Sequence, residues 1–228
     1  MDKICSLPAT MSETLVQSDL SSVVMDGVEI GIDQYLSDGI LKDIPIINSI
    51  ASIVKATQSI SNYLYLKKIV SFLNGIKDVP KEKREQEIRK IEESKKYRNK
   101  VGEQLLFILD HCEDDIKAEY ISYWFRAFLN SEIDYSDFIQ GASAINKITI
   151  DELNTFIAED YGLYIDDSVY IGAVLMFVVM EDVVVNNSII TDWDETPQLD
   201  VRGGKLETEL TSLGKKIKKV FKNIILTK

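Results

Sequence analysis

The chain closes with Leu210-Thr-Ser-Leu-Gly-Lys-Lys-Ile-Lys-Lys-Val-Phe-Lys-Asn-Ile-Ile225, a stretch rich in both lysine and large apolar residues. Residues three or four apart share a face of an α-helix. On such a helix, with Thr211 or Ser212 as its cap, the two kinds of residue separate. The sequence therefore predicts an amphipathic closing helix whose apolar face packs against another surface. One face holds Leu213, Ile217, Val220, Phe221, Ile224 and Ile225, and the other holds Lys215, Lys216, Lys218, Lys219 and Lys222.

The apolar face of this closing helix can be buried in two ways. It can dock on the rest of the chain and leave its ammonium groups in water, where lysines also suit the negative end of the helix dipole. It can instead lie on an anionic membrane or an anionic partner. We expect internal docking and keep the second interpretation as the alternative. The candidate contact residues for a membrane or partner are Lys215, Lys216, Lys218, Lys219, Lys222, Ile217 and Phe221.

The charge of the chain is segregated. Its 228 residues include 26 basic and 37 acidic ones, for a formal charge of −11. The last sixteen residues carry six lysines and no acid, so residues 1–212 carry −17. A body this acidic repels phosphates, which argues against broad nucleic-acid binding. DNA is therefore not an expected partner.

Cysteine usage and hydropathy favour a cytoplasmic protein. Cys5 and Cys112 show no spacing motif and are predicted to be unpaired thiols. The first residues lack the apolar core of a signal peptide. The longest uncharged apolar run, Ser168–Met180, has thirteen residues, whereas a membrane-spanning helix needs about twenty. We predict a cytoplasmic location, with peripheral contact at the inner membrane under the alternative.

The amino half is predicted to be helical. Residues 1–11 form a leader, and residues 12–76 form a helical region in which Ser12 caps the first helix. Pro45 marks the start of a second helix, 44–66, because proline is tolerated in a first turn. A stripe of large residues beside a row of small ones suits a core helix of a soluble bundle, or else an oligomerising, membrane-seeking helix.

Residues 77–100 have a different character, with ten basic and six acidic residues in twenty-four. Pairs such as Glu85 and Arg89 lie at the spacing that supports an exposed helix. The segment is predicted to be a solvated helical connector, and its net charge of +4 leaves partner binding as the alternative.

Residues 101–228 begin with helices. Trp124, Phe125 and Phe128 recur at helical spacing and are predicted to be core residues rather than a ligand cage. Asp134-Tyr-Ser-Asp137 and Thr149-Ile-Asp-Glu152 are typical helix starts, in which a side-chain oxygen accepts from an unpaired backbone N–H. Two short helices, 135–146 and 150–160, should follow.

The pattern after Gly162 favours extended structure. Ser168–Met180 fits a helix or a buried strand, because it is apolar and rich in β-branched residues. Residues 183–190 are predicted to be a strand, and residues 199–210, which contain Gly203-Gly204, to return alongside it.

Leu210-Thr-Ser-Leu-Gly-Lys215 resembles the stretch that joins the last wing strand to a closing helix in many bacterial winged-helix domains. From about Asp134 to the end, the chain is similar to a winged-helix unit. Residues 101–228, with the aromatic helix at Trp124–Leu129, resemble bacterial proteins grouped near the abortive-infection alpha family. The expected fold is mainly α, a helical bundle followed by a small α+β, winged-helix-like unit. The resemblance implies a link to defence against bacteriophage and supplies no catalytic residues.

A DNA-binding use of that unit is opposed by its residues. A winged helix reads bases with Arg, Lys, Asn or Gln on a helix in the major groove. Taken as the helix before the wing, Ser168–Met180 contains none of these. The sequence therefore favours protein interaction.

The residues that catalysis needs are sparse. His111 is the sole histidine, and no CxxC, HExxH, calcium-loop, GxSxG or phosphate-loop spacing occurs. The acidic clusters Asp166-Asp167, Glu181-Asp182 and Asp192/Asp194/Glu195 are predicted to be solvated surface. No catalytic, cofactor-binding or metal-ligating residue, and no cofactor, is predicted.

Three functions follow, in order of preference. The first is a non-enzymatic, cytoplasmic bacterial protein that acts by protein–protein contact or self-association, in phage defence. The second is a membrane-associating effector that uses helix 44–66 and the basic closing helix. The third is a winged-helix transcriptional regulator.

Overall fold

The computed structural model describes residues 6–21, 23, 43–94, 100–158, 168–187 and 199–225. Over these residues the fold is mainly α with a small α+β carboxy-terminal part, which confirms the predicted fold class. The helices are α1 (Leu7–Gln17), α2 (Pro45–Thr57), α3 (Ile60–Gly75), α4 (Lys81–Glu92), α5 (Val101–Asp110), α6 (Asp115–Leu129), α7 (Tyr135–Lys147), α8 (Ile150–Ala158), α9 (Ser168–Gly172) and α10 (Ser212–Ile225). The strands are β1 (Met176–Met180), β2 (Val184–Asn187), β3 (Leu199–Arg202) and β4 (Leu206–Leu210).

Helix α6 lies at the centre of the bundle and packs against α3, α7 and α10. The Asp114 carboxylate caps it by accepting the Lys117 N–H at 2.8 Å. Trp124, Phe125 and Phe128 are buried, which confirms their predicted place in the core. Phe125 contacts Phe72 of α3, with ring centroids 5.5 Å apart, so one aromatic residue joins two helices.

Helix α7 begins at the predicted start Asp134-Tyr-Ser-Asp137, which the structure shows to be a capping box. Asp134 accepts the Asp137 N–H at 2.7 Å, and the Asp137 carboxylate accepts the Asp134 N–H at 3.2 Å. At Gly141 a Cβ atom would lie 2.2 Å from Nε1 of Trp124, so α7 reaches α6 only because this residue has no side chain. The indole N–H of Trp124 donates to the Phe138 carbonyl, with Nε1 and the oxygen 3.1 Å apart.

Helix α8 begins with the capping box expected at Thr149-Ile-Asp-Glu152, in which the Thr149 hydroxyl accepts the Glu152 N–H at 3.2 Å. The Glu152 carboxylate accepts the Thr149 N–H at 2.7 Å. Both helix starts read from the sequence are therefore confirmed. The last two residues of the predicted helix 150–160 lie outside the described residues.

The predicted helix 44–66 is wrong, because two helices occupy that range. Gln58 takes a left-handed conformation, with φ of 48°, and ends α2. The Ser59 hydroxyl then caps α3 by accepting the Asn62 N–H at 3.5 Å. The apolar stripe is interrupted as a result: Ile46 is buried, whereas Ile60 is 78% exposed.

The predicted leader, residues 1–11, also differs from the structure. Helix α1 begins at Leu7 and ends at Gln17, so Ser12 lies inside the helix and the prediction that it caps the first helix is wrong; Met11 is fully buried. Gly102 of α5 permits this packing, since a Cβ atom there would lie 2.4 Å from the Pro8 carbonyl oxygen. Residues 1–5 of the leader lie outside the described residues.

The expectation of a solvated connector at residues 77–100 is wrong for one face of α4. Arg84 and Ile88 are buried. The Arg84 guanidinium donates to the Leu15 and Ser18 carbonyls, both at 2.8 Å, and so ties α4 to the end of α1. The outer face behaves as predicted, with Glu85 and Arg89 paired at 2.6 Å.

Residues 168–180 contain both structures that the sequence allowed. Helix α9 occupies the first five residues and strand β1 the last five, with Val174 in the turn between them. Strand β1 pairs antiparallel with β4, and β2 pairs antiparallel with β3. The predicted return alongside the strand at 183–190 is confirmed for residues 199–202, whereas residues 206–210 pair with β1 instead; residues 188–190 lie outside the described residues. We call the paired strands, 176–187 and 199–210, the hairpin arm.

Candidate functional site

The apolar face of α10 is covered by the rest of the chain. Ile217 and Phe221 are fully buried. Phe221 stacks on two rings of α6, with centroids 5.6 Å from Tyr120 and 6.4 Å from Trp124. The expectation of internal docking is therefore confirmed, and this face does not reach a membrane or partner in the described conformation.

The lysines of α10 have different surroundings. Lys215 and Lys219 are exposed, and Lys222 is half-buried. Lys216 pairs with the Asp137 carboxylate at 2.6 Å. Lys218 is buried, with Nζ 5.5 Å from the centre of the Phe156 ring. The expectation that every ammonium group lies in water is wrong for Lys218, because its ammonium group lies over the Phe156 ring of α8.

The stretch Leu210–Lys215 joins α10 to the root of the hairpin arm. The Thr211 hydroxyl accepts the Gly214 N–H at 3.0 Å, which makes Thr211 the cap of α10 as predicted. The same hydroxyl donates to the carbonyls of Val174 and Leu175 at 2.9 and 3.1 Å. At Gly214 a Cβ atom would lie 2.2 Å from the Leu175 carbonyl oxygen. The arm therefore leaves the bundle from a fixed root.

The hairpin arm keeps its strand pairing beyond β1 and β4. The Glu181 N–H donates to the Lys205 carbonyl at 2.9 Å, and the Gly204 N–H donates back to the Glu181 carbonyl at 3.2 Å. Gly203 and Gly204 both have positive φ, at 90° and 77°. A Cβ atom at Gly203 would lie 2.0 Å from the Asp182 carbonyl oxygen. Glycine is thus needed where the two pairs of strands meet.

The arm carries most of the exposed apolar surface of the described chain. Twelve large apolar residues are exposed in the described chain, of which seven lie on the arm and an eighth, Val174, lies in the turn that precedes it. Single exposed apolar residues are ordinary on a protein surface, whereas a contiguous group marks a contact site. The eight are Val174, Phe177, Val178, Met180, Val183, Val184, Val185 and Leu206.

The two faces of the β1–β4 ribbon differ in charge. Successive side chains of a strand point to opposite faces, and the register pairs Met176 with Leu210 and Met180 with Leu206. One face, which we call the apolar face, is uncharged and continues from buried Met176 at the root to exposed residues further out. The apolar face comprises Met176, Val178, Met180, Leu206, Thr208 and Leu210; the reverse face comprises Phe177, Val179, Glu207 and Glu209.

The arm as a whole is acidic. The residues of the arm, 176–187 and 199–210, include five acidic and two basic residues, a formal charge of −3. None of these charges lies on β1, and the run from Ser168 to Met180 is uncharged. An acidic, partly apolar arm is repelled by anionic lipid and by phosphate.

The groups around Cys112 do not form a nucleophilic site. Burial raises the pKa of the Cys112 thiol to about 11, although the nearby Lys68 and Lys117 ammonium groups oppose the shift. Lys117 is itself buried and pairs at 2.9 Å with Glu113, whose side chain is largely exposed. A thiol with so high a pKa is almost wholly protonated at neutral pH. Cys5 lies outside the described residues.

His111 is exposed, and its Nδ1 lies 2.8 Å from the Phe107 carbonyl oxygen. Within the described ranges no three or more His, Cys, Asp or Glu side chains are placed to hold a metal ion. Of the predicted acidic clusters, Glu181-Asp182 is exposed, while Asp166-Asp167 and Asp192/Asp194/Glu195 lie outside the described residues.

Two clefts flank the turn between α3 and α4. One, of about 320 Å³, is lined by Asp19, Lys77 and Arg84 among others. The second, of about 360 Å³, lies beside α10 and is lined by Tyr123, Arg126 and Ile224 among others. Neither lining contains cysteine or histidine.

The chain matches no protein-family model, no curated protein and no solved structure. The resemblance drawn from Leu210–Lys215 and Trp124–Leu129 therefore stays a prediction. Among the helices described, none combines the length and the apolarity needed to cross a bilayer.

The sequence did not single out the hairpin arm as a contact surface. The sequence predicts strands at 183–190 and 199–210 and leaves 168–180 open between helix and strand. The signal for exposure is the alternation in Leu206-Glu-Thr-Glu-Leu210, which places both glutamates on one face. On β1 no such alternation exists, so burial on both faces was an equally good interpretation.

Proposed function

We propose that the chain acts by non-enzymatic protein–protein contact and that the hairpin arm is its contact surface. The observation that carries the proposal is the concentration of exposed apolar residues on residues 174–206, eight of the twelve in the described chain. Met176 and Leu210 anchor the apolar face in the bundle, so a partner would extend an existing core. Apolar surface removed from water contributes about 25 cal/mol per Å² to association.

A membrane role is less well supported by the same surface. The alternative of a membrane-associating effector relied on α10 and on a continuous helix 44–66. The apolar face of α10 contacts α6, and Gln58 divides the second helix. The arm, with a formal charge of −3, is repelled by an anionic leaflet.

A transcriptional role is also less well supported. Helices α7 to α9, followed by a hairpin and by α10, have the order of a winged-helix unit, in which the arm is the wing. Helix α9, Ser168–Gly172, contains no Arg, Lys, Asn or Gln to read bases. We propose a winged-helix-like unit that binds protein, in a bacterial cytoplasm and in defence against phage.

Site-specific photo-crosslinking in bacterial cells tests the proposed contact surface. A crosslinking amino acid replaces Val178, which is 49% exposed on the arm, or Ile116, which is 52% exposed on α6. We expect Val178 to capture a protein at much higher yield than the equally exposed control. The captured protein is then purified, and its binding to the wild type and to Val178→Asp is compared by calorimetry. Equal capture at both positions, or unchanged binding by Val178→Asp, contradicts the proposal.

Phage challenge of cells that express the chain with its neighbouring genes tests the biological setting. Val178→Asp should lose protection, and Ile116→Asp, at a position of similar exposure, should keep it. A wild-type chain that gives no protection against any phage in a broad panel contradicts the defence role. That outcome leaves the contact surface itself to the crosslinking measurement.

A further inference from the structure

We propose that the partner of the hairpin arm is a second copy of this chain, paired through the open edge of β1. The inference rests on the proposed use of the arm as a contact surface and names its occupant. Among the described residues, β1 has one pairing partner, β4, on one of its two edges. In an antiparallel pair each strand directs alternate N–H and C=O groups away from its partner. Phe177 and Val178 lie on opposite faces of β1 and are about half exposed, so among the described residues neither face of the strand near its open edge is fully covered.

The sequence of β1 leaves this edge unprotected. Natural proteins shield open edges with charged side chains, proline or bulges. Strand β1, Met176-Phe-Val-Val-Met180, has no charge, no proline and no glycine, and two of its five residues are β-branched. Strand β4 differs, because Glu207 and Glu209 flank its outer edge and are exposed. Of the two edges of the ribbon, the edge of β1 is therefore the one that accepts another strand.

Charge selects a second copy over a charged partner. An uncharged strand offers no ion pair to a basic or acidic segment, but a second β1 supplies an uncharged strand of equal length. Full antiparallel overlap places Val178 opposite Val178 of the second copy and Met176 opposite its Met180. Residues that face each other across such a pair share a face of the sheet, so the two apolar faces join on one side.

The arrangement also keeps the acidic residues apart. In the order β4-β1-β1-β4 the two β4 strands are three strand spacings apart, about 14 Å. Charges at that distance are screened at physiological ionic strength, where the Debye length is about 8 Å. A two-fold axis closes the assembly, and the glutamates on both outer strands oppose addition of a third chain.

The contact is small, and this sets the expected affinity. A stable protein–protein interface buries about 800 Å² on each partner, more than two five-residue strands supply. We therefore expect a reversible dimer with a dissociation constant on the order of micromolar.

Sedimentation equilibrium of the full chain tests this inference. We expect the mass to rise with concentration from the 25.9 kDa monomer towards twice that value. Val178→Asp should raise the dissociation constant at least about tenfold, since it places two carboxylates opposite each other. The control Ile116→Asp should leave it unchanged. Val178→Thr, which keeps the β-branched shape, should weaken the dimer less than Val178→Asp. It replaces Val178→Asp in the measurement if the aspartate variant does not fold.

A cysteine at the same position provides a second readout. Oxidised Val178→Cys should form a disulfide-linked dimer, whereas the wild type, whose Cys112 is buried, sets the background. A monomer at every concentration, equal effects of Val178→Asp and Ile116→Asp, or no crosslink of Val178→Cys above background overturns the inference. Val178-dependent pelleting with anionic vesicles, without dimer formation, overturns it as well.

The failure of this inference is distinguishable from failure of the proposed function. If the chain is monomeric and the crosslinker at Val178 captures a different protein, the partner is not a second copy, but the arm is still the contact surface. If the crosslinker at Val178 captures neither a second copy nor another protein, both the dimer and the proposed contact surface are contradicted.

Discussion

The ring of Phe221 lies nearly parallel to the indole of Trp124, with centroids 6.4 Å apart and planes 13° apart. Both side chains are fully buried. This contact joins the last helix of the chain to the central helix of the bundle. It makes α10 part of the hydrophobic core, so the amphipathic pattern of the closing stretch is explained by internal packing.

Phe221→Ala should destabilise the fold. Truncation removes the stack on Tyr120 and Trp124 and leaves a cavity, which costs about 3–5 kcal/mol in a well-packed core. Urea denaturation followed by tryptophan fluorescence measures the change. Lys219→Ala, an exposed substitution on the same helix, is the control and should lie within about 0.5 kcal/mol of wild type. Equal unfolding free energies for the two variants contradict a docked α10.

Arg84→Ala should destabilise the amino half through lost hydrogen bonds. The guanidinium bonds the Leu15, Ser18 and Val79 carbonyls, and its removal leaves acceptors in a buried place without a donor. Each costs about 1–3 kcal/mol if water does not replace the donor. Arg89→Ala removes a surface ion pair at 2.6 Å and should cost less than about 1 kcal/mol. A larger effect at Arg89 than at Arg84, measured by urea denaturation, is the contrary result.

Stability should fall in alkali partly because of Cys112. Burial raises the pKa of its thiol from the ordinary value of 9.0 to about 11 in the folded chain. Between these values the unfolded chain loses the proton first, so the unfolding free energy decreases as pH rises from about 9 to about 11. The contribution present below pH 9 is at most about 2 to 3 kcal/mol. Cys112→Ala should flatten this part of the pH profile, and an unchanged slope contradicts the prediction.

Gly203→Ala should disturb the hairpin arm and spare the bundle. Gly203 combines a φ of 90° with a Cβ position 2.0 Å from the Asp182 carbonyl oxygen, whereas at Gly204 the closest contact is a Val183 methyl at 3.2 Å. Hydrogen exchange should show lost protection in β1 and β4 with unchanged protection in α6. Gly204→Ala should have a smaller effect. Equal protection in wild type and Gly203→Ala removes the requirement for glycine.

Local chemistry predicted much of the fold. The capping pairs at Asp134 and Thr149, the aromatic core at Trp124 and the returning strand marked by Gly203-Gly204 are each fixed by neighbours within a few residues. Such signals depend on side-chain geometry or on the φ preference of glycine, and tertiary packing does not override them.

Long-range packing accounts for what the sequence did not predict. Arg84 lies in a run of charged residues, and this pattern indicates a solvated side chain. In the structure its guanidinium is buried and donates to the carbonyls of Leu15, Ser18 and Val79. Gln58 ends α2 in a left-handed conformation that glutamine seldom takes, and only the cap signal of Ser59 marks the break. The exposure of β1 depends on how far the arm extends from the bundle, which no local pattern encodes.

Helix α10 is part of the core, and we propose that the hairpin arm makes the contact with protein. Photo-crosslinking in cells, with the probe at Val178 on β1 or at exposed Lys219 on α10, distinguishes these two surfaces. We predict intermolecular crosslinks from Val178 and none above background from Lys219. Crosslinks from Lys219 and none from Val178 would show instead that the closing helix makes the contact.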